Sequence, residues 1–164
     1  MVPQSEPLTS CPAVDGVLSV MNADLTTTNA PSAADSAGRV IRVLVVDDHA
    51  PLRRLIAEVL READDITVVG ECGDGDEVVV AVQRTRPDVV LMDVSMPRVD
   101  GFEATRRLLA VQPHARVLLL TAASGADSSL EARRAGALGY VSKEDILALP
   151  ARARHLAQGG SAWR

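Results

Sequence analysis

The sequence predicts an α/β domain, a doubly wound five-stranded parallel sheet with helices on both faces. Two observations predict it. From Arg39 onward, short aliphatic runs alternate with segments of helical period five times over about 120 residues. Such alternation needs a crossover between successive strands, which gives a parallel sheet covered on both sides. The composition agrees, since 47% hydrophobic and 24% charged residues in a 164-residue chain suit one globular domain and exclude a wholly disordered one. No run approaches the roughly 18 apolar residues of a membrane span.

Residues 1–38 stand apart. They contain Glu6, Asp15, Asp24 and Asp35 and no basic residue, and from Ala23 they are rich in Ala, Ser, Thr and Asn without a period. They are expected to be a disordered tail. Val40–Val46 is a β-branched run that reads as the first strand. Pro51 suits the first turn of a helix, and Leu52, Leu55, Ile56, Val59 and Leu60 fall on one face of it. Ile66–Gly70 is the second strand. Asp74 and Glu77 have the spacing of a capping pair, followed by a helix face of Val78, Ala81 and Val82 that Pro87 closes.

Asp88–Met92 is the third strand. The third helix begins near Gly101 or Phe102, buries Phe102, Thr105, Leu108 and Leu109, and ends before Pro113. Arg116–Leu120 is the fourth strand, and a poorer helix runs from about Asp127 to Ala135, closed by Gly136. Gly139–Ser142 is a short fifth strand. The last helix runs from about Leu149 to Gln158, with Gly159 and Gly160 as its stop. Five such units fit the flavodoxin-like strand order 2-1-3-4-5, whose crevice lies at the strand carboxyl ends between strands one and three.

The residues just past each strand are therefore the ones to inspect. They are Asp47 and Asp48 after strand one, Asp93 after strand three, Thr121 after strand four and Lys143 after strand five. Each has an ordinary explanation: the first two as helix caps, Asp93 as a turn residue, Thr121 satisfying backbone groups, Lys143 as a solvated charge. Their shared location favours one cause. Three gathered carboxylates repel unless a cation joins them. An all-oxygen set suits Mg²⁺, and a lysine with a hydroxyl opposite completes a site for a phosphoryl group, with a carboxylate as nucleophile. Lys143 is the single lysine beside sixteen arginines, and an ammonium is a compact point charge where guanidinium is a planar fork.

The segments VLVVDDH (Val43–His49), DVSMPRVDG (Asp93–Gly101), LTA (Leu120–Ala122), AGALGY (Ala135–Tyr140) and Lys143 occur in that order. On them, residues 39–160 resemble the receiver domain of bacterial two-component response regulators, with 161–164 left as a C-terminal stub. The DDH start, and Glu144 after the lysine, are most similar to the subgroup that usually carries a C-terminal helix-turn-helix (LuxR-type) DNA-binding domain. The resemblance implies that Asp93 accepts a phosphoryl group from a histidine kinase or phosphotransfer protein. It implies Mg²⁺ held by Asp48 directly, by Asp47 largely through water, by Asp93 and by the backbone carbonyl of Ser95. It further implies Thr121 and Lys143 on the phosphoryl oxygens, and Tyr140 as a switch aromatic that moves with Thr121.

The expected function is a phosphorylation-switched protein-interaction surface, with only self-phosphorylation and self-dephosphorylation as chemistry. The alternatives are a DNA-binding transcriptional regulator lacking its helix-turn-helix here, an aspartate-nucleophile phosphohydrolase, or a module that binds partners without phosphorylation. A net charge of −5 and no basic tract give no sign of direct nucleic-acid binding. A homodimer is compatible with the sequence. Two cysteines, Cys11 and Cys72, form no disulfide framework, and no basic residue precedes Arg39, so a cytoplasmic location is expected. Two departures touch the surface where the family's signal leaves: Arg133 replaces the usual aliphatic residue in helix four, and Pro150 falls at the start of helix five.

Overall fold

The structure, a computed structural model, describes residues 39–122 and 126–163. The tail expected over 1–38 lies outside the described residues. Five strands, β1 (Ile41–Val46), β2 (Ile66–Cys72), β3 (Val89–Asp93), β4 (Val117–Thr121) and β5 (Gly139–Ser142), form one sheet in the order β2-β1-β3-β4-β5. All four pairings are parallel. The helices are α1 (Ala50–Arg61), α2 (Val78–Thr85), α3 (Gly101–Val111), α4 (Ala126–Ala135) and α5 (Leu149–Ala157). Each element expected from the sequence is present.

Alternation along each strand sends successive side chains to opposite faces. Leu44, Val46, Val90, Met92 and Leu119 pack with Val78, Val82, Ala104 and Leu108, under α2, α3 and α4. Val43, Val45, Leu91, Leu118 and Leu120 pack with Ile56, Leu60, Leu149, Ala153 and Leu156, under α1 and α5. Strands β3 and β4 are buried along their whole length. That is why they read as unbroken apolar runs.

Several local expectations change. Leu55 is 43% exposed, so the buried stripe of α1 is carried by Ile56, Ala57 and Leu60. Phe102 and Leu109 are half-buried rather than buried. A short 3-10 turn (Gly75–Glu77) precedes α2, and Asp74 and Glu77 do not cap reciprocally. Glu77 accepts from the amide of Gly73 at 3.4 Å, which leaves Asp74 to bind a different loop. Pro150 lies in the first turn of α5, where a missing N–H costs nothing. A 3-10 segment, Lys143–Ala148, absorbs the irregularity before it. Helix α5 nonetheless seats Leu149, Ala153 and Leu156 with no exposure. Arg154 fastens it to the α1–β2 loop through two 2.6 Å bonds to Asp65.

Residues 161–163, expected as part of a stub, belong to the domain. Ala162 pairs in parallel with Gly139 and is 1% exposed. At the other edge of the sheet, the thiol of Cys72 is buried at the end of β2, and its carbonyl accepts the amide of Asp47 at 3.2 Å. Burial and the charge of Glu77 push that thiol up to about 11.

Candidate functional site

Register brings the acids together. Val46 pairs with Met92, so Asp47 and Asp93 follow side by side on neighbouring strands. Thr121 pairs with Ser142, so Lys143 follows β5 just beyond the end of β4. The parallel order thus puts Asp47, Asp48, Asp93, Thr121 and Lys143 along one carboxyl edge, as the sequence implies.

Lys143 Nζ lies 2.9 Å from Asp47 Oδ2 and 2.8 Å from Asp93 Oδ2. Asp47 and Asp93 are 0% and 1% exposed, while Asp48 faces solvent. Asp47 Oδ1 accepts the amide of His49 at 2.8 Å, and Asp93 Oδ1 accepts that of Ser95 at 3.2 Å. Burial raises the pKa of Asp93, against the opposing hydrogen bonds from Lys143 and Ser95, and the charge of Asp47 adds to the rise. For Lys143, burial disfavours the ammonium, but its bonds to Asp93 and Asp47 prevail and its pKa is raised. Asp93 is therefore a desolvated carboxylate held beside a firmly charged ammonium.

Asp47, Asp48 and Asp93 each offer an oxygen within 4.8 Å of the others. Three carboxylates against one ammonium leave a negative excess in a partly buried site. This oxygen-only donor set, with solvent on the Asp48 side, fits a hard divalent cation that keeps water ligands.

The loop after Asp93 is built to hold that residue in place. Gly101 donates to Val94 O at 2.9 Å, and a Cβ on Gly101 would run into the carbonyl oxygen of Asp93. Asp100 caps α3 by accepting from Glu103 N at 2.8 Å. Met96 is buried in the core. The buried Asp74 accepts from the amides of Arg98 at 3.1 Å and Val99 at 3.0 Å. Within Asp93–Gly101, the Met, second Asp and Gly are thus framework around the Asp93 carboxylate.

Thr121 ends β4 and is 6% exposed. Tyr140 lies back along β5, opposite Leu119 and half-buried, and its ring packs 6.3 Å from that of Trp163. It thus lies level with Met92, one position short of Asp93 and two strands away. Sequence reasoning missed Arg53, whose Nη1 donates to Asp47 O at 2.5 Å and whose Nε lies 3.3 Å from Glu71 Oε2. It braces the loop that carries the paired acids. Nothing in the pattern set it apart from its neighbour Arg54.

A five-stranded parallel sheet with an acid–lysine cluster at its switch point defines a class of α/β protein whose site lies beyond the strand carboxyl ends. Residues 43–153 match the response regulator receiver domain, and the chain belongs to that family. Phosphorylation on an aspartate is the general function of these domains in two-component systems, and they generally bind Mg²⁺ at an acidic cluster. The chain is 40% identical over 124 residues to response regulator GacA of Pseudomonas viridiflava, covering 76% of this chain and 58% of that protein. It is 44% identical over 104 residues to a protein-glutamate methylesterase/protein-glutamine glutaminase of Myxococcus xanthus, covering 63% of this chain and 30% of that one. The chain therefore spans about half or less of the length of such relatives. Among solved structures, a LuxR-family two-component response regulator from Aurantimonas matches with a TM-score of 0.72 at 33% identity, over 75% of this chain and 89% of that one. Receiver domains interact with histidine kinases or phosphotransfer proteins, and dimers are common. They are generally not catalytic towards other substrates, while some relatives are enzymes. Among the described residues no helix is long and apolar enough to cross a membrane.

Proposed function

We propose that Asp93 accepts a phosphoryl group from a histidine kinase or phosphotransfer protein, and that the modified domain presents an altered surface to a protein partner. The observation that carries this reading is the placement of Lys143 Nζ within 3 Å of both Asp47 and Asp93 at the sheet's switch point. An oxygen of the Asp93 carboxylate attacks phosphorus in line. The bond from phosphorus to the donor nitrogen or oxygen breaks, and its electron pair leaves with the donor. Lys143 holds a positive charge beside the developing phosphoryl oxygens, and the hydroxyl of Thr121 donates to one of them. Asp47, Asp48, Asp93 and the carbonyl of Ser95 are the residues to hold Mg²⁺, which when bound neutralises charge on the transferred group. Tyr140 moves with Thr121. The chain has no turnover on external substrates in this reading, acts in the cytoplasm, and does not itself bind nucleic acid.

The test is intact mass after incubation with Mg²⁺ and acetyl phosphate. One added phosphoryl group is expected, absent from Asp93→Asn and from samples without metal. A folded wild-type chain with no mass gain would sink the reading in favour of a phosphorylation-independent binding module.

A second reading concerns output. The chain is 38% identical over 106 residues to a transcriptional regulatory protein of Bacillus subtilis and spans 49% of it. That likeness favours transcription as the destination of the signal, through a DNA-binding module joined to the receiver.

A further inference from the structure

Beyond α5 the chain turns at Gly159, whose φ is 88°, and Gly160 lies against the ring of His155. Ser161, Ala162 and Trp163 then run along the outer edge of β5. Ala162 bridges Gly139, and its amide donates to Leu138 O at 2.8 Å. The fit is close. A Cβ on Gly139 would come within 2.6 Å of the Ala162 Cβ and 2.7 Å of its carbonyl oxygen. Trp163 packs on Tyr140, ring centroids 6.3 Å apart and planes at 52°. The guanidinium carbon of Arg133 sits 4.1 Å from the Trp163 ring centroid. Arg133 is the residue of α4 that departs from the usual aliphatic pattern, and this contact gives it a role.

The two ends of β5 thus hold two different things. Gly139 receives the terminal segment, and Lys143, directly after Ser142, spans Asp47 and Asp93. Four residues of strand are on the order of 13 Å long, too few to absorb a shift at one end before it reaches the other.

We propose that Ser161–Trp163 is a latch on β5 whose docking is coupled to the charge on Asp93, and that phosphorylation there loosens it. The inference rests on Asp93 being the acceptor. A phosphoryl group adds bulk and negative charge at the place Lys143 now spans. Lys143 follows the new oxygens and draws on the strand behind it. The Gly139–Ala162 fit tolerates little displacement, because there is no room between them even for one added methyl group. The Tyr140–Trp163 and Arg133–Trp163 contacts are lost with it.

Trp163 is the chain's sole tryptophan, so its quenching by acrylamide reads the latch directly. The full chain is treated with Mg²⁺ and acetyl phosphate, with intact mass followed in parallel. The wild type is expected to gain one phosphoryl group and at least double its quenching constant, and Asp93→Asn to do neither. Gly139→Ala should be as quenchable before treatment as the phosphorylated wild type. By reciprocity, this released form should bind beryllofluoride roughly fivefold tighter or more. Arg133→Gln, at an exposed position, should also raise resting quenching and guards against a folding defect in Gly139→Ala. Full phosphorylation with unchanged quenching overturns the latch and leaves the acceptor assignment standing. Unchanged resting quenching in both latch variants also overturns it. No mass gain in a folded wild type overturns both.

Discussion

Asp93 sits in a place that suits reaction better than it suits folding. It is buried, close to the second carboxylate of Asp47, and neutralised through Lys143. Its pKa in the fold is raised, with burial the main cause. A carboxyl group raised in this way favours the folded state at low pH, and that contribution is lost as pH rises through its folded value. At neutral pH the ionised group therefore works against the fold. Asp93→Asn should stabilise the metal-free protein by about 1 kcal/mol at pH 7, or a few degrees in Tm. The gain should shrink at a lower pH, as the carboxyl titrates through its raised folded value, and when Mg²⁺ is added to the wild type. Thermal melts in a chelator at the two pH values check this. An Asn variant that melts lower than wild type at pH 7 contradicts it.

At the level of elements, the loops carry more of the organisation than the helices do. Asp74 ties the turn before α2 to the loop between β3 and α3, accepting from the amides of Arg98, Val99 and Asp76, with Arg98 Nε 3.4 Å away. Burial pushes its pKa up, but those amides and the Arg98 charge outweigh it, and the net shift is downward. The sign is opposite to that of Asp93. This stabilisation is present above the unfolded value of about 3.9 and fades as pH falls through the lower folded one. Asp74→Ala leaves buried amides unpaired and should cost about 2 kcal/mol, measured as a urea midpoint shift at pH 7 that narrows below pH 4. An unchanged midpoint contradicts it. The sequence showed Asp74 only as a cap, because its principal partners lie more than twenty positions away. Segment 161–163 was illegible for a similar reason. The match of Gly139 to Ala162 involves two small residues whose meaning appears only when the strands are assembled.

For the molecule as a whole, the strand order was readable because strands buried on both faces leave long aliphatic runs, of which Val43–Val46 and Val117–Leu120 are the plainest. The acid–lysine edge was readable because a parallel sheet places every strand's carboxyl end on one side, so Asp47, Asp93 and Lys143 met as their positions implied. Less legible was the border between stripe and surface. Leu55 looked like a core residue by period and is 43% exposed, since α1 presents a narrower face to the sheet than its leucines suggest.

The burial of Cys72 has a kinetic consequence. A thiol raised to about 11 and shielded from solvent reacts with disulfide reagents only when the end of β2 opens. Its carbonyl is bonded to the amide of Asp47, so that opening also frees the strand end bearing the paired acids. In a Cys11→Ser background, the labelling half-life of Cys72 therefore becomes a clock for excursions of the acid cluster. Millimolar Mg²⁺ should lengthen it severalfold, and leave it unchanged in a variant lacking the Asp47 and Asp48 carboxylates. Equal rates with and without the ion would separate the two ends of β1 and β2 as independent in their opening.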